Sequence, residues 1–258
     1  MKYNKIVEGI FIKRPNRFIA HVLINDKEEI VHVKNTGRCR ELLIPGAKVI
    51  LEDCSHNLNR KTKYSLIAVW KDNMLVNMDS QVPNYVVFHG MEKGLIKGFE
   101  NVDNIKREVS FKNSRFDIYF EDSGKKGFME VKGVTLENHG IAMFPDAPTV
   151  RGARHVLEMI EAVEEGYKGC IFFLIQMKGP KIFKLNWKMD KDFSQAVKLA
   201  SEKGVDILAY DSIVTENNIY INQQIPVQLE PDEDIEWYIY YEKYLDPSII
   251  LGSIIYIY

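Results

Sequence analysis

The sequence predicts an α/β chain, α+β overall, in which a small N-terminal OB-like β-barrel precedes a larger α/β domain. Two observations carry this. The first 71 residues hold five short apolar runs with no long helical period between them, the mark of a small antiparallel barrel. After about residue 82 the pattern changes, and helical and strand periods alternate. With 258 residues the chain is long enough for two small domains.

The barrel strands follow in order. KIVEGIFIK (5–13) is the first. RFIAHVLI (17–24) and EEIVHV (28–33) are joined by Asn25-Asp26-Lys27, which has hairpin turn chemistry. Asn35-Thr36-Gly37 and Pro45-Gly46 mark loops. AKVILED (47–53) and YSLIAVW (64–70) are strands separated by the polar segment SHNLNRKTK. Asp72-Asn73 and Pro83-Asn84 supply turn chemistry at the boundary, so the predicted barrel covers residues 1–82.

The second domain, 83–228, reads α-β-β-β-α-β-α-β. Residues 84–97 are predicted helical, with Val86, Val87, Met91, Leu95 and Ile96 forming a stripe. Strands follow at 105–111, 114–120 and 128–134. A helix at 147–165 takes Asp146 as its N-cap and Pro148 in its first turn, with Ala153, Val156, Leu157, Ile160 and Val163 as its apolar face and Gly166 as its stop. GCIFFLIQM (169–177) is an unbroken apolar run, as expected of a strand covered on both faces. A helix over 193–204 and the strand VDILAY (205–210) complete the pattern. Residues 229–258 form an acidic, tyrosine-rich extension with Tyr238, Tyr240, Tyr241 and Tyr244. A homo-oligomer contact, an extra strand and a free acidic end are all compatible with it.

Composition removes several classes of function. An apolar share of 46% with 27% charged residues excludes disorder as the main state. No window approaches the roughly 20 apolar residues of a membrane span, and the N-terminus lacks a signal-peptide core. Cys39, Cys54 and Cys170 are scattered without metal-ligand spacing, which reads as free thiols in a reducing cytoplasm. The net charge of −2 hides an asymmetry: residues 1–71 hold 14 Lys/Arg against 7 Asp/Glu, whereas 226–258 hold 1 against 7. A basic first segment admits an anionic partner such as nucleic acid. Lys13, Arg14, Arg17, Arg60, Lys61 and Lys63 are the candidate contacts there, with Phe18 or Tyr64 for stacking.

Strand alternation gathers the chemistry. Phe116, Ile118 and Phe120 point one way and Arg115, Asp117 and Tyr119 the other; Met129 and Val131 oppose Glu130 and Lys132. If the apolar faces coincide, Asp117, Glu130 and Lys132 converge. Two carboxylates with the Val131 carbonyl suit Mg²⁺ or Mn²⁺, and a neighbouring lysine suits phosphodiester hydrolysis. The same spacing also describes a surface salt bridge across a hairpin. Arg151 and His155 share a helical face and are candidate phosphate or substrate contacts, as is Gln176 at the end of the buried strand.

The blocks NTGRCRELLIPGAKV, NRKTKYSL, REVSFKNSRFDIYF, MEVKGVTL, FPDAPTVRGARH and VDILAY resemble, in order, the sugar fermentation stimulation protein family (SfsA), over roughly residues 3–228. The resemblance implies DNA binding and a PD-(D/E)XK restriction-endonuclease-like second domain, with Asp117 as its first acid and Glu130-x-Lys132 as its second half. It also implies an acid from the first helix, where this chain has His89, with Glu92 one turn on. Phe116 stands where the motif's proline would be. Three functions follow as expectations: a Mg²⁺-dependent nuclease or phosphodiesterase; a non-catalytic DNA-binding regulator of sugar-metabolism genes on a vestigial nuclease fold; or a hydrolase of small phosphodiesters or nucleotides.

Overall fold

The computed structural model describes residues 1–232 apart from Thr36 and Asn113. The predicted extension therefore lies, from residue 233 onward, outside the described residues. Strands β1 (Ile6–Lys13), β2 (Ile19–Ile24), β3 (Lys27–Val33), β4 (Lys48–Asp53) and β5 (Tyr64–Lys71) run in the sheet order β3-β2-β1-β4-β5. Parallel pairs His32↔Ser65 and Val33↔Leu66 close β3 onto β5 and complete a five-stranded OB barrel. The β2–β3 turn has two residues, Asn25 and Asp26, both at positive φ, the backbone that a tight hairpin requires. A sixth strand, β6 (Met74–Asn77), too short to register in the apolar pattern, extends β5 through a second hairpin.

The barrel is lined by Val22, Val31, Val49, Leu51, Leu66 and Val69. Ile50, Ile67, Ala68 and Leu75 belong instead to a second cluster with Val82, Val86 and the following domain. This explains why Ser65–Val69 is buried at every position: β5 has the barrel interior on one side and the second domain on the other.

Helix α1 (Val82–Glu92) is followed by β7 (Asp103–Phe111), β8 (Ser114–Asp122), β9 (Lys125–Val134), β10 (Leu136–Asn138) and β11 (Ile141–Phe144). Then come α2 (Val150–Glu164), β12 (Lys168–Ile175), β13 (Ile182–Leu185), α3 (Lys191–Glu202), β14 (Asp206–Thr215), β15 (Asn218–Gln224) and β16 (Val227–Gln228). The main sheet is ordered β15-β14-β12-β9-β8-β7, with β9, β12 and β14 parallel. Helical crossovers α2 and α3 make that parallel set possible. Alternate residues of β12 feed opposite layers: Cys170, Phe172 and Leu174 pack with α1, whereas Ile171, Phe173 and Ile175 pack with α2 and α3. The minor strands β10, β11, β13 and β16 form a small separate sheet.

Three local expectations are corrected. α1 ends at Glu92, since Gly94 takes a positive φ, and Leu95 is exposed rather than part of the stripe. α2 is capped by Thr149, whose Oγ1 accepts from the Gly152 amide, not by Asp146. Leu157 lies on the open side of α2, and Met159 and Ala162 take its place in the buried face. Among the described residues no helix is long and apolar enough to cross a membrane, and the three cysteines are buried and free.

Candidate functional site

The site forms where two strands part. β8 and β9 pair from Asp122↔Lys125 up to Ile118↔Met129, and no pair is formed beyond that point. Phe116 does not share a face with Ile118 and Phe120 as alternation predicts. It packs on Phe111 and Phe128, in the α2 layer, while Ile118 and Phe120 face the α1 layer. Asp117 lies between the two and reaches across the opening: its Oδ2 accepts from the Val131 amide at 2.8 Å. The carboxylate thus stands in for the missing strand partner of that amide. Its Oδ1 accepts from Asn84 Nδ2, at the start of α1, at 2.6 Å.

Glu130 is 3% exposed. Its Oε1 accepts from Lys132 Nζ at 2.7 Å and from His155 Nδ1 at 2.8 Å. Its Oε2 is buried and accepts nothing from the described residues. Arg151 Nε donates weakly to His155 Nε2 at 3.4 Å, so both ring nitrogens are engaged and Nδ1 carries the proton given to Glu130. The register thus brings Asp117, Glu130 and Lys132 together, and α2 adds Arg151 and His155. These five, with Val131 and Asn84, line one cavity of about 310 Å³.

The two acids are driven apart electrostatically. Burial, then the charge of Glu130, raises the pKa of Asp117 to about 6. Burial also works against ionised Glu130, but the hydrogen bonds from His155 and Lys132 and the charge of Lys132 outweigh it, and its pKa falls below the ordinary value. A carboxylate pair with one buried oxygen left without a donor attracts a cation. Among the described residues no group of three or more His, Cys, Asp or Glu makes a self-contained cage. The donor set, two carboxylates on a water-accessible cavity, instead fits a hard divalent ion that keeps much of its hydration.

The remaining candidates lie elsewhere. His89 and Glu92 pair with each other at 2.5 Å on the open face of α1 and do not line the cavity. Asn84 is the residue of α1 that reaches Asp117, and helical periodicity carries no signal for it. Gln176 is 2% exposed and looks towards the barrel: its Nε2 donates to Asn77 Oδ1 at 2.9 Å and to the Asp79 carbonyl at 3.2 Å. On the barrel, Arg60 folds back onto Ser65 Oγ and the Thr62 carbonyl, with Lys61 and Lys63 exposed beside it on the β4–β5 loop.

Lys13, Arg14 and Arg17 cluster at the β1–β2 turn, but Arg14 is not a free cation. Its guanidinium donates to the carbonyls of Arg17, Asn35, Gly37 and Arg38 and so ties the loop after β3 to the end of β1. Arg14→Gln is expected to lose about 1–3 kcal/mol of stability, the scale of several charge-assisted bonds partly replaced by water; urea unfolding measures it.

Known proteins share this architecture. A family model described as the SfsA N-terminal OB domain matches residues 12–78, and one described as the sugar fermentation stimulation protein RE domain matches 81–218. A sugar fermentation stimulation protein homolog from Alkaliphilus oremlandii (strain OhILAs) is 62% identical over 231 residues, 88% of this chain and 98% of that protein. A homolog of the same name from Clostridium botulinum (strain Langeland) is 52% identical, covering 89% of this chain and 100% of that protein. A solved structure, described as Pyrococcus furiosus SfsA in complex with Ca²⁺, superposes with a TM-score of 0.80 at 30% identity, covering 88% of this chain and 98% of the other. Matches that run through barrel and α/β domain alike, to relatives spanned almost end to end, show that the chain belongs to the sugar fermentation stimulation protein family.

Proposed function

We propose that this chain is a nucleic-acid-binding phosphodiesterase that depends on a divalent cation, Mg²⁺ or Mn²⁺, and uses a PD-(D/E)XK nuclease-like site on a DNA substrate. The observation that carries the reading is Glu130 Oε2, a buried carboxylate oxygen with no partner among the described residues, beside a second, half-buried carboxylate. Asp117 and Glu130 would hold the cation, with the Val131 carbonyl as a third donor. A cation held there polarises a phosphoryl oxygen and lowers the pKa of bound water. The Ca²⁺ of the Pyrococcus furiosus relative is in keeping with a hard, oxygen-liganded ion.

The chain's own groups divide the remaining work. Asn84 and the Val131 amide fix Asp117 from two directions. His155 fixes Glu130 and is itself steadied by Arg151. Lys132, on the same carboxylate oxygen, is positioned to orient an attacking water and to offset charge growing on the phosphate. Arg151, exposed at the cavity wall, is the phosphate contact.

The test is a cleavage screen of single- and double-stranded DNA and RNA with Mg²⁺ and Mn²⁺. Turnover is expected with the wild type, and Lys132→Ala should slow it by about 100-fold or more, the range of a positioned acid–base group, while cation binding persists. Undiminished turnover in Lys132→Ala would remove the assigned site. Binding of DNA without cation-dependent turnover would mark the regulator instead. Turnover of small diesters with a flat response to salt would mark the small-substrate hydrolase.

A further inference from the structure

The β1–β2 turn and the loop after β3 enclose a second cavity, of about 450 Å³, on the barrel. Its polar lining is Lys13, Arg14, Asn16, Arg17, Arg38 and Arg40, and its floor is apolar. Arg14 is consumed by four carbonyls, as described. The other four cations, Lys13, Arg17, Arg38 and Arg40, are exposed, and none forms an ion pair among the described residues. Arg38 and Arg40 gather there because Cys39 between them takes a positive φ of 45° and turns its own side chain into the core. A non-glycine residue in that region is costly and persists where the surroundings hold it. Here Arg14 holds the preceding carbonyls, and the Cys39 carbonyl accepts from the amides of Leu42 and Leu43. The nearest acids, Asp146 beside Arg38 and Glu41 after Arg40, make no ion pair with either.

The segment between β11 and α2 links this pocket to the acid cavity. A Cβ on Gly37 would lie 2.7 Å from Asp146 Oδ2, so the loop carrying Arg38 packs directly on the segment that follows Phe144. Phe144 itself lines the acid cavity.

From these contacts we propose that the barrel pocket is a second phosphate site, in which Lys13, Arg17, Arg38 and Arg40 grip the backbone of a nucleic-acid strand whose continuation passes over Gly37 to the acid cavity. The inference rests on the nucleic-acid reading given above and adds to it a location and a directional path. It also calls for a polymer rather than a mononucleotide, because the two cavities share no lining residue.

Fluorescence anisotropy of labelled single- and double-stranded oligonucleotides, titrated with metal-free protein at several salt concentrations, tests it. Arg38→Gln/Arg40→Gln should weaken binding about 10-fold or more and flatten the logarithmic salt dependence by about 1.4–1.8, because two phosphates no longer meet a cation. Neither side chain makes a hydrogen bond among the described residues, so a thermal melt should match the wild type. Lys125→Gln/Lys126→Gln removes the same charge at the exposed β8–β9 turn, which lines neither cavity, and should weaken binding by less than about 3-fold, a general field effect. Equal weakening by the two pairs, or an unmoved salt slope, overturns the pocket while leaving the nucleic-acid reading intact. No binding of any oligonucleotide by the wild type overturns both.

Discussion

Glu130→Gln is expected to abolish divalent-cation binding at the acid cavity and to reduce cation-dependent cleavage by about 1,000-fold, the upper range for loss of one preorganised electrostatic group. The substitution changes one atom, and the surroundings dictate which one. Lys132 Nζ and His155 Nδ1 both donate to Oε1, so a glutamine must keep its carbonyl oxygen there. Its amide nitrogen then falls on the Oε2 position, which in the native chain is the buried oxygen without a partner. A lone pair aimed at a cation becomes two N–H donors aimed at it. Size and shape are unchanged, so the fold should persist. Mn²⁺ or Tb³⁺ titration of wild type and variant reads the binding, and oligonucleotide cleavage reads the activity. Unchanged cation affinity in Glu130→Gln would dismiss the two-acid site, whatever became of cleavage.

Much of this site was legible in the sequence because it is local. The register Ile118↔Met129 follows from matching two short apolar patterns, and once it is set Glu130 and Lys132 must share a face. Arg151 and His155 follow from helical spacing alone. The β12 run was legible as doubly covered because no polar residue interrupts it. What escaped depends on long-range packing. Asp117 does not sit on a sheet face. It fills a gap that exists only because β8 and β9 diverge, and period-two alternation has no means of expressing that. Asn84 touches Asp117 across 33 positions of sequence. Arg38 and Arg40 read as ordinary loop charges until the backbone at Cys39 turns both to the same side. Asp146 was the nearest acid before the apolar stripe, but the helix begins later, where Thr149 also donates its amide to Asp190, the cap of α3. One carboxylate thereby fixes the starts of two helices.

Gln176 separates a substrate contact from a structural one, and replacing it by leucine is expected to act on stability. The side chain is buried where β12 meets the barrel, and its amide group donates to Asn77 Oδ1 and to the Asp79 carbonyl. Asn77 in turn donates to the Tyr3 hydroxyl, while Asp79 holds Lys34 at 3.1 Å. Burial, followed by the charge of Asp79, holds the Tyr3 phenol in its neutral form, so no other charge enters the group. The chain of contacts joins the N-terminal segment, β6, the barrel and the main sheet. Leucine fills a similar volume but removes two buried hydrogen bonds, leaving Asn77 Oδ1 only the Asp79 amide and the Asp79 carbonyl only the Val82 amide. Each lost bond is worth about 0.5–1.5 kcal/mol net, so a loss of about 1–3 kcal/mol is expected. For a chain of this size that corresponds to a Tm lower by roughly 2–12 °C. Cleavage per folded molecule should persist, since Gln176 does not line the acid cavity. Calorimetry and activity assayed below the transition distinguish the two roles: a substrate contact would lower activity at constant Tm, whereas a junction between barrel and sheet lowers Tm at constant activity.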